Sequence, residues 1–254
     1  MGIDVFVTSL AEFWAEVPCS TLREVVARAP RVRRADPGVV QRSSLREWDE
    51  LPWSDGFAWM GWQRRKLVNA YIAATTSRLG VPAWRDNGPG PDPYGSRIDP
   101  ACGMFLRSVA IAASRNTLDA AQVIAETHDP KLGRREFFDK MEPFVEAYRG
   151  VVPAVAMERF PNVIQLDIAN LYLPAAFAGC WVGGPLDIGS APRFAHELRD
   201  LATVLGVDTT VTEWWKTREL NEDGPRRRSL YNLQLLGEAC ALSAAATLPI
   251  LVAG

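Results

Sequence analysis

The chain has 254 residues, 48% of them hydrophobic and 23% charged, with a net charge of −2. That length allows a sizeable core, and the balance is ordinary for a soluble fold and excludes a uniformly basic nucleic-acid binder. Cys19, Cys102, Cys180 and Cys240 stand far apart with no Cys-x-x-Cys pair. This argues against a structural zinc or a disulfide scaffold and for free thiols in a reducing cytoplasm.

Gly2 to Thr8 sets Ile3, Val5 and Val7 against Asp4 and Phe6, the period of a short strand. The opening Met1-Gly2-Ile3-Asp4 lacks the basic start and long apolar stretch of a signal peptide. Ser9 and Glu12 form the first of four Ser/Thr-x-x-Glu boxes, followed by Thr21/Glu24, Ser44/Glu47 and Thr210/Glu213. In such a box the hydroxyl caps the first turn and the carboxylate returns to the cap's own N–H. The first helix then carries Leu10, Phe13, Trp14 and Val17 and stops at Pro18; the second carries Leu22, Val25, Val26 and Ala29 and stops at Pro30. Arg31 to Arg42 is a basic connector, and Ser44 caps a short turn with Leu45 and Trp48.

A long helix starts near Asp55, with Phe57, Met60, Leu67, Val68, Tyr71 and Leu79 near one stripe and Gly80 at its end. Arg64 falls on that stripe and must snorkel or find an acid. Residues 81–98 read as a Pro/Gly-rich loop, long enough to suggest function or a linker, within what otherwise reads as a single domain spanning 1–254. Asp99-Pro100 opens a helix with Met104, Phe105, Val109 and Ala112. Thr117 begins another, and Arg134 to Tyr148 a third that Pro143 kinks.

From Val163 to Leu173 the period shortens towards two, which predicts a strand. Ser190 caps a helix with Phe194, Leu198, Leu201 and Leu205 inward; Thr210 caps one with Trp214 and Trp215; Ser229 opens the last, and Leu248 to Val252 forms a final strand. The uncharged stretches 168–186 and 239–254 are broken by proline or glycine and fall short of the ~20 apolar residues of a membrane span. The expected fold is α+β and predominantly helical. Its small sheet is built from the N-terminal strand, the 163–173 segment and the C-terminal tail.

Charge is unevenly spread. Leu22 to Arg85 holds twelve basic and six acidic residues, and Phe57 to Arg85 holds no acid. Arg31, Arg33 and Arg34 with Arg64, Arg65 and Lys66 could follow phosphates, yet no reading motif accompanies them, so nucleic acid is not the expected partner. A basic face for an acidic partner is the functional alternative to simply solvated charge. Of 28 basic residues 24 are Arg, which with abundant Ala suggests a GC-rich bacterial source.

Two histidines limit acid–base chemistry. His128 sits where an imidazole caps helical carbonyls, and His196 adjoins Glu197 on a helix, where neighbours do not face each other. No catalytic motif, metal set or cofactor fingerprint is present. Ser190 with Arg193 in the first turn is either an ordinary cap or an anion site at the positive end of a helix. A small-molecule pocket would gather Asp4, Arg97, Asp99, Ser190 and Arg193. In Trp214-Trp215 one ring faces the core and the other lies about 100° round the helix, as an anchor for a partner.

The opening Met1-Gly2-Ile3-Asp4-Val5-Phe6-Val7, the run Leu171 to Phe177, the Gly189-Ser190 helix through Glu197-Leu198, and the closing helix with its Leu248 to Gly254 tail are similar to an uncharacterised bacterial family. Members carry a His-Ser-Asp-Cys-Asp-Gly-like stretch in mid-chain; here Tyr94 to Gly103 lacks the histidine. The resemblance implies a mainly helical α+β domain whose ends meet in a small sheet, and no activity. The expected function is a cytoplasmic bacterial interaction domain, an immunity-type or antitoxin-like stoichiometric binder. The alternative is an enzyme or sensor with the Asp/Arg/Ser pocket.

Overall fold

A computed structural model describes residues 3–35, 61–86, 88, 94–98, 100–114, 154–166, 169–182, 184, 186–216 and 225–253. The elements run β1 (Ile3–Val7), α1 (Leu10–Phe13), α2 (Cys19–Arg28), a 3-10 turn (Ala29–Arg31), β2 (Arg33–Arg34), α3 (Gly61–Leu79), β3 (Tyr94–Ile98) and α4 (Pro100–Ser114). They continue with α5 (Ala154–Arg159), α6 (Pro161–Ile164), β4 (Ala169–Leu173), β5 (Trp181–Val182), β6 (Asp187–Ser190) and α7 (Ala191–Val204). A second 3-10 turn (Trp214–Lys216), α8 (Pro225–Ala246) and β7 (Ile250–Ala253) complete the order.

Helices cover both faces of one mixed seven-stranded sheet, in the order β2-β5-β6-β4-β7-β1-β3. Strand alternation sorts the side chains between two cores. Leu171, Leu173, Ile188 and Leu251 meet α1, α2 and α3, while Val5, Val7, Tyr172, Ile250 and Val252 meet α4 to α8. The expected three strands are adjacent at the centre: β7 pairs antiparallel with both β1 and β4. The fold is α+β with a helical majority, and among the described residues no helix is long and apolar enough to cross a membrane.

Ser9 and Ser190 cap α1 and α7 through their hydroxyls, as their sequence positions indicate. The reciprocal half of the Ser9 box does not form. The Glu12 carboxylate instead accepts from the Thr8 hydroxyl at 2.7 Å, and Asp86 takes the Ala11 N–H at 2.8 Å. Thr21 is not a cap, because α2 begins at Cys19 and buries it. The Thr210 hydroxyl donates to Asp208 at 2.6 Å, so the segment it was to open is only a 3-10 turn. Helix α8 starts at Pro225, ahead of Ser229.

The strand expected from 163 begins at Ala169. Pro161 starts a helical turn instead, whose free N–H groups are met by a carboxylate from α7. The end of the 81–98 loop is strand β3, and β2, β5 and β6 were not anticipated: strands of two to four residues carry too little period to read. The Ser44 box, the helices over 117–124 and 134–148, and His128 lie outside the described residues.

Candidate functional site

Helix α3 buries Val68, Tyr71, Ile72, Thr75 and Thr76, spaced three, one, three and one apart, against α1 and α2. Trp14 meets the Tyr71 ring edge-on at 5.4 Å, and burial pushes the Tyr71 hydroxyl well above its ordinary range. Gly80 closes the helix in a left-handed conformation, with the Val81 N–H reaching back to the Thr76 carbonyl at 3.1 Å. This packing fixes which face is left outside.

That outer face begins with Trp62, which at 60% exposure is the most exposed large apolar side chain among the described residues. Arg65 and Lys66, three and four positions on, lie on the same face and are exposed. Small residues follow, Ala70, Ala73 and Ser77, all exposed. At the far end the Arg78 Nε donates to the Val32 carbonyl at 3.2 Å. Arg78 therefore stands beside exposed Arg31, Arg33 and Arg34 of the 3-10 turn and β2. Arg34 lies against Gly179, where a Cβ would approach its Nε to 2.8 Å. Among the described residues no carboxylate forms an ion pair with Arg31, Arg34, Arg65, Lys66 or Arg78. Arg64, expected to snorkel or find an acid, keeps Nε and Nη2 buried without a hydrogen-bond partner.

The two basic groups that sequence placed together are thus held apart. Thirteen residues of helix separate Arg65 from Arg78, about 20 Å at the α-helical rise. The sequence reading missed Arg78 and Trp62. A basic residue in a last turn before glycine, and a Trp three residues ahead of an Arg-Lys pair, were the signals available.

Of the two tryptophans expected to anchor a partner, Trp214 turns inward and Trp215 is half-buried. Trp214 is buried at 3% exposure, and Trp215 packs edge-on against it at 6.0 Å, with the Trp214 ring and the Trp215 Cβ closing on Gly237 of α8.

The residues expected to line a small-molecule pocket are brought together only in part. Arg97 of β3 pairs with Asp4 of β1, Nε to Oδ1 at 2.8 Å and Nη2 to Oδ2 at 3.3 Å, and holds that carboxyl below its ordinary range. Ser190 lies on β6, separated from β1 by β7 and β4 and displaced four residues along the strands. Those offsets are about 14 Å across and about 13 Å along the sheet. Asp99 lies outside the described residues. The Ser190 hydroxyl is buried and engaged, accepting from the Arg193 N–H at 3.3 Å and donating to the Ala175 carbonyl at 2.7 Å. Arg193 reaches the Glu158 carbonyl at 3.4 Å and lies 4.0 Å from Glu197.

Behind Ser190 is a buried polar joint. Glu197 of α7 accepts from the backbone N–H groups of Asn162 and Val163 at 2.9 and 3.0 Å and from Asn162 Nδ2 at 2.6 Å. Asn162 Oδ1 accepts the Ser190 N–H at 2.9 Å, and the Tyr172 hydroxyl donates to the Asn162 carbonyl at 3.1 Å. Burial pushes the Glu197 carboxyl up to about 8, with the three donors limiting the rise. Burial likewise raises the Cys180 and Cys240 thiols, keeping them from the thiolate that a nucleophile or metal ligand needs. Among the described residues no three His, Cys, Asp or Glu side chains are grouped to hold a metal ion. This joint fastens α6, β4, β6 and α7 together.

No family model matches the chain, and neither a curated protein nor a solved structure does.

Proposed function

We propose that this protein acts by binding an acidic protein partner along the outer face of α3. The observation that carries the reading is Trp62, left 60% exposed with Arg65 and Lys66 one turn further on. A folded chain gains by burying Trp, and Trp and Arg are the residues that dominate binding energy at interfaces. Ala70, Ala73 and Ser77 leave a shallow path between the basic ends, along which a helix can approach closely. Basic charge at both ends, about 20 Å apart, steers an acidic surface and fixes its direction.

A stoichiometric binder of the immunity or antitoxin type fits this surface, in a bacterial cytoplasm. The similarity of both chain ends to an uncharacterised bacterial family belongs to the same reading. Co-purification from the native host, with the unmodified chain and with Trp62→Ala, tests it. A partner retained by the unmodified chain and lost at least tenfold by Trp62→Ala, with unchanged circular dichroism, is the expected result. A partner that Trp62→Ala and the double charge reversal Arg65→Glu/Lys66→Glu hold equally well would refute it, as would no partner at all.

A further inference from the structure

The two edges of the sheet are finished differently. Edge β2 is two residues long and carries exposed Arg33 and Arg34, and the Val32 carbonyl just before it is already taken by Arg78. Short length, charge and a covered backbone group are the devices by which sheets avoid pairing with other chains. Edge β3 lacks the short length and, among the described residues, the covered backbone group. It is five residues long and pairs with β1 over its whole length, Tyr94 opposite Val7 through to Ile98 opposite Ile3. Among the described residues nothing pairs with its other side. It contains no proline and no lysine, and its one charge, Arg97, is neutralised by Asp4 within the same sheet. Gly95 is exposed, and without a side chain that exposure is backbone.

The helix beside this edge is also unfinished. Tyr94 reaches the Leu235 carbonyl at 3.5 Å and Glu238 at 3.3 Å, which places β3 against α8. Tyr231, Leu235, Glu238 and Leu242 follow one another on a single face of α8. On that face Tyr231 is 42% and Leu242 39% exposed. An open strand edge and an apolar helix face therefore lie side by side.

We infer that β3 pairs antiparallel with β3 of a second copy of this chain, about a twofold axis at Ser96. In that register Tyr94 faces Ile98, Gly95 faces Arg97, and Ser96 faces Ser96 of the second copy. The register opposes no like charges: each Arg97 lies opposite a glycine, not opposite its own mate, and keeps its Asp4. The two α8 helices come together on the same side and cover Tyr231 and Leu242. Because each copy offers one open and one blunted edge, pairing closes at two copies and forms no filament. This surface lies on the opposite sheet edge from Arg33 and Arg34 and is independent of the α3 face.

Analytical ultracentrifugation of the full chain from 1 to 100 μM tests the inference. A dimer is expected. Gly95→Lys sets a positive charge against Arg97 of the second copy and should raise the dissociation constant at least tenfold. Gly95→Glu sets a negative charge there and should keep the dimer. A Cβ at Gly95 meets only the Phe6 ring, at 3.6 Å, so both variants can fold, and a cooperative thermal unfolding of each confirms it. Ser96→Cys should cross-link into a disulfide dimer under mild oxidation that leaves the unmodified chain uncross-linked. A monomer throughout the concentration range overturns the inference, as does a dimer that Gly95→Lys and Gly95→Glu affect equally and Ser96→Cys does not cross-link.

Discussion

Gly189 and Glu197 show how single residues set the geometry around the Asn162 joint. A Cβ on Gly189 would come within 2.4 Å of the Tyr172 ring and 2.6 Å of Asn162 Oδ1, and Tyr172 is stacked on Phe194 at 4.4 Å with nowhere to retreat. Gly189→Ala should therefore cost about 1–3 kcal/mol or more, as overpacked cores do, measured by urea unfolding. Thr247 holds a positive φ of 54° at the end of α8, a conformation that strains a β-branched side chain. Thr247→Gly should raise stability by about 1 kcal/mol and raise the melting temperature. A glycine was expected at such helix ends and was read correctly at Gly80. A threonine in that role gives no signal, because only the path of the chain into β7 imposes the conformation.

Among elements, the short ones are held by distant side chains. Asp86 accepts the Ala11 N–H at 2.8 Å and the Gly88 N–H at 3.0 Å, while its own backbone exchanges hydrogen bonds with the Asn69 amide on α3. One buried carboxylate thus ties α1 to the loop after α3. Asp86→Ala removes the acceptor of one buried and one part-buried donor and should destabilise by about 1–3 kcal/mol in chemical denaturation. Helix α6 is four residues long and begins with proline; its N–H groups are capped by Glu197, 35 residues away. For that reason the stretch from Val163 to Leu166 was misread as strand. A local period of two was real, but the capping partner that favours a helical turn is not local. Strand β4 and helix α7, with long periods and a Ser190 cap, were legible.

For the whole molecule, pH should act through Glu197. Burial pushes its carboxyl up to about 8 in the folded chain, against about 4.5 for an exposed glutamate. The folded state therefore holds the proton more tightly than the unfolded state. Its contribution is fully present below about pH 4.5 and is lost as pH rises towards about 8, with a slope approaching ~1.4 kcal/mol per pH unit. Urea midpoints measured from pH 5 to 8 should fall with this slope. Glu197→Gln, neutral throughout, should flatten it even though it lowers the plateau.

The sequence by itself determined the strands at both ends, the apolar face of α7, the inward Val68 and Tyr71 of α3, the caps at Ser9 and Ser190 and the stop at Gly80. Each of these rests on periodicity or on hydrogen bonds within a few residues. Only the tertiary structure decided which strands became edges, which tryptophan stayed in solvent and which arginines gathered. Trp62 and Trp214 do not differ in kind along the chain. They differ in what folds over them, and that depends on contacts between residues far apart in sequence.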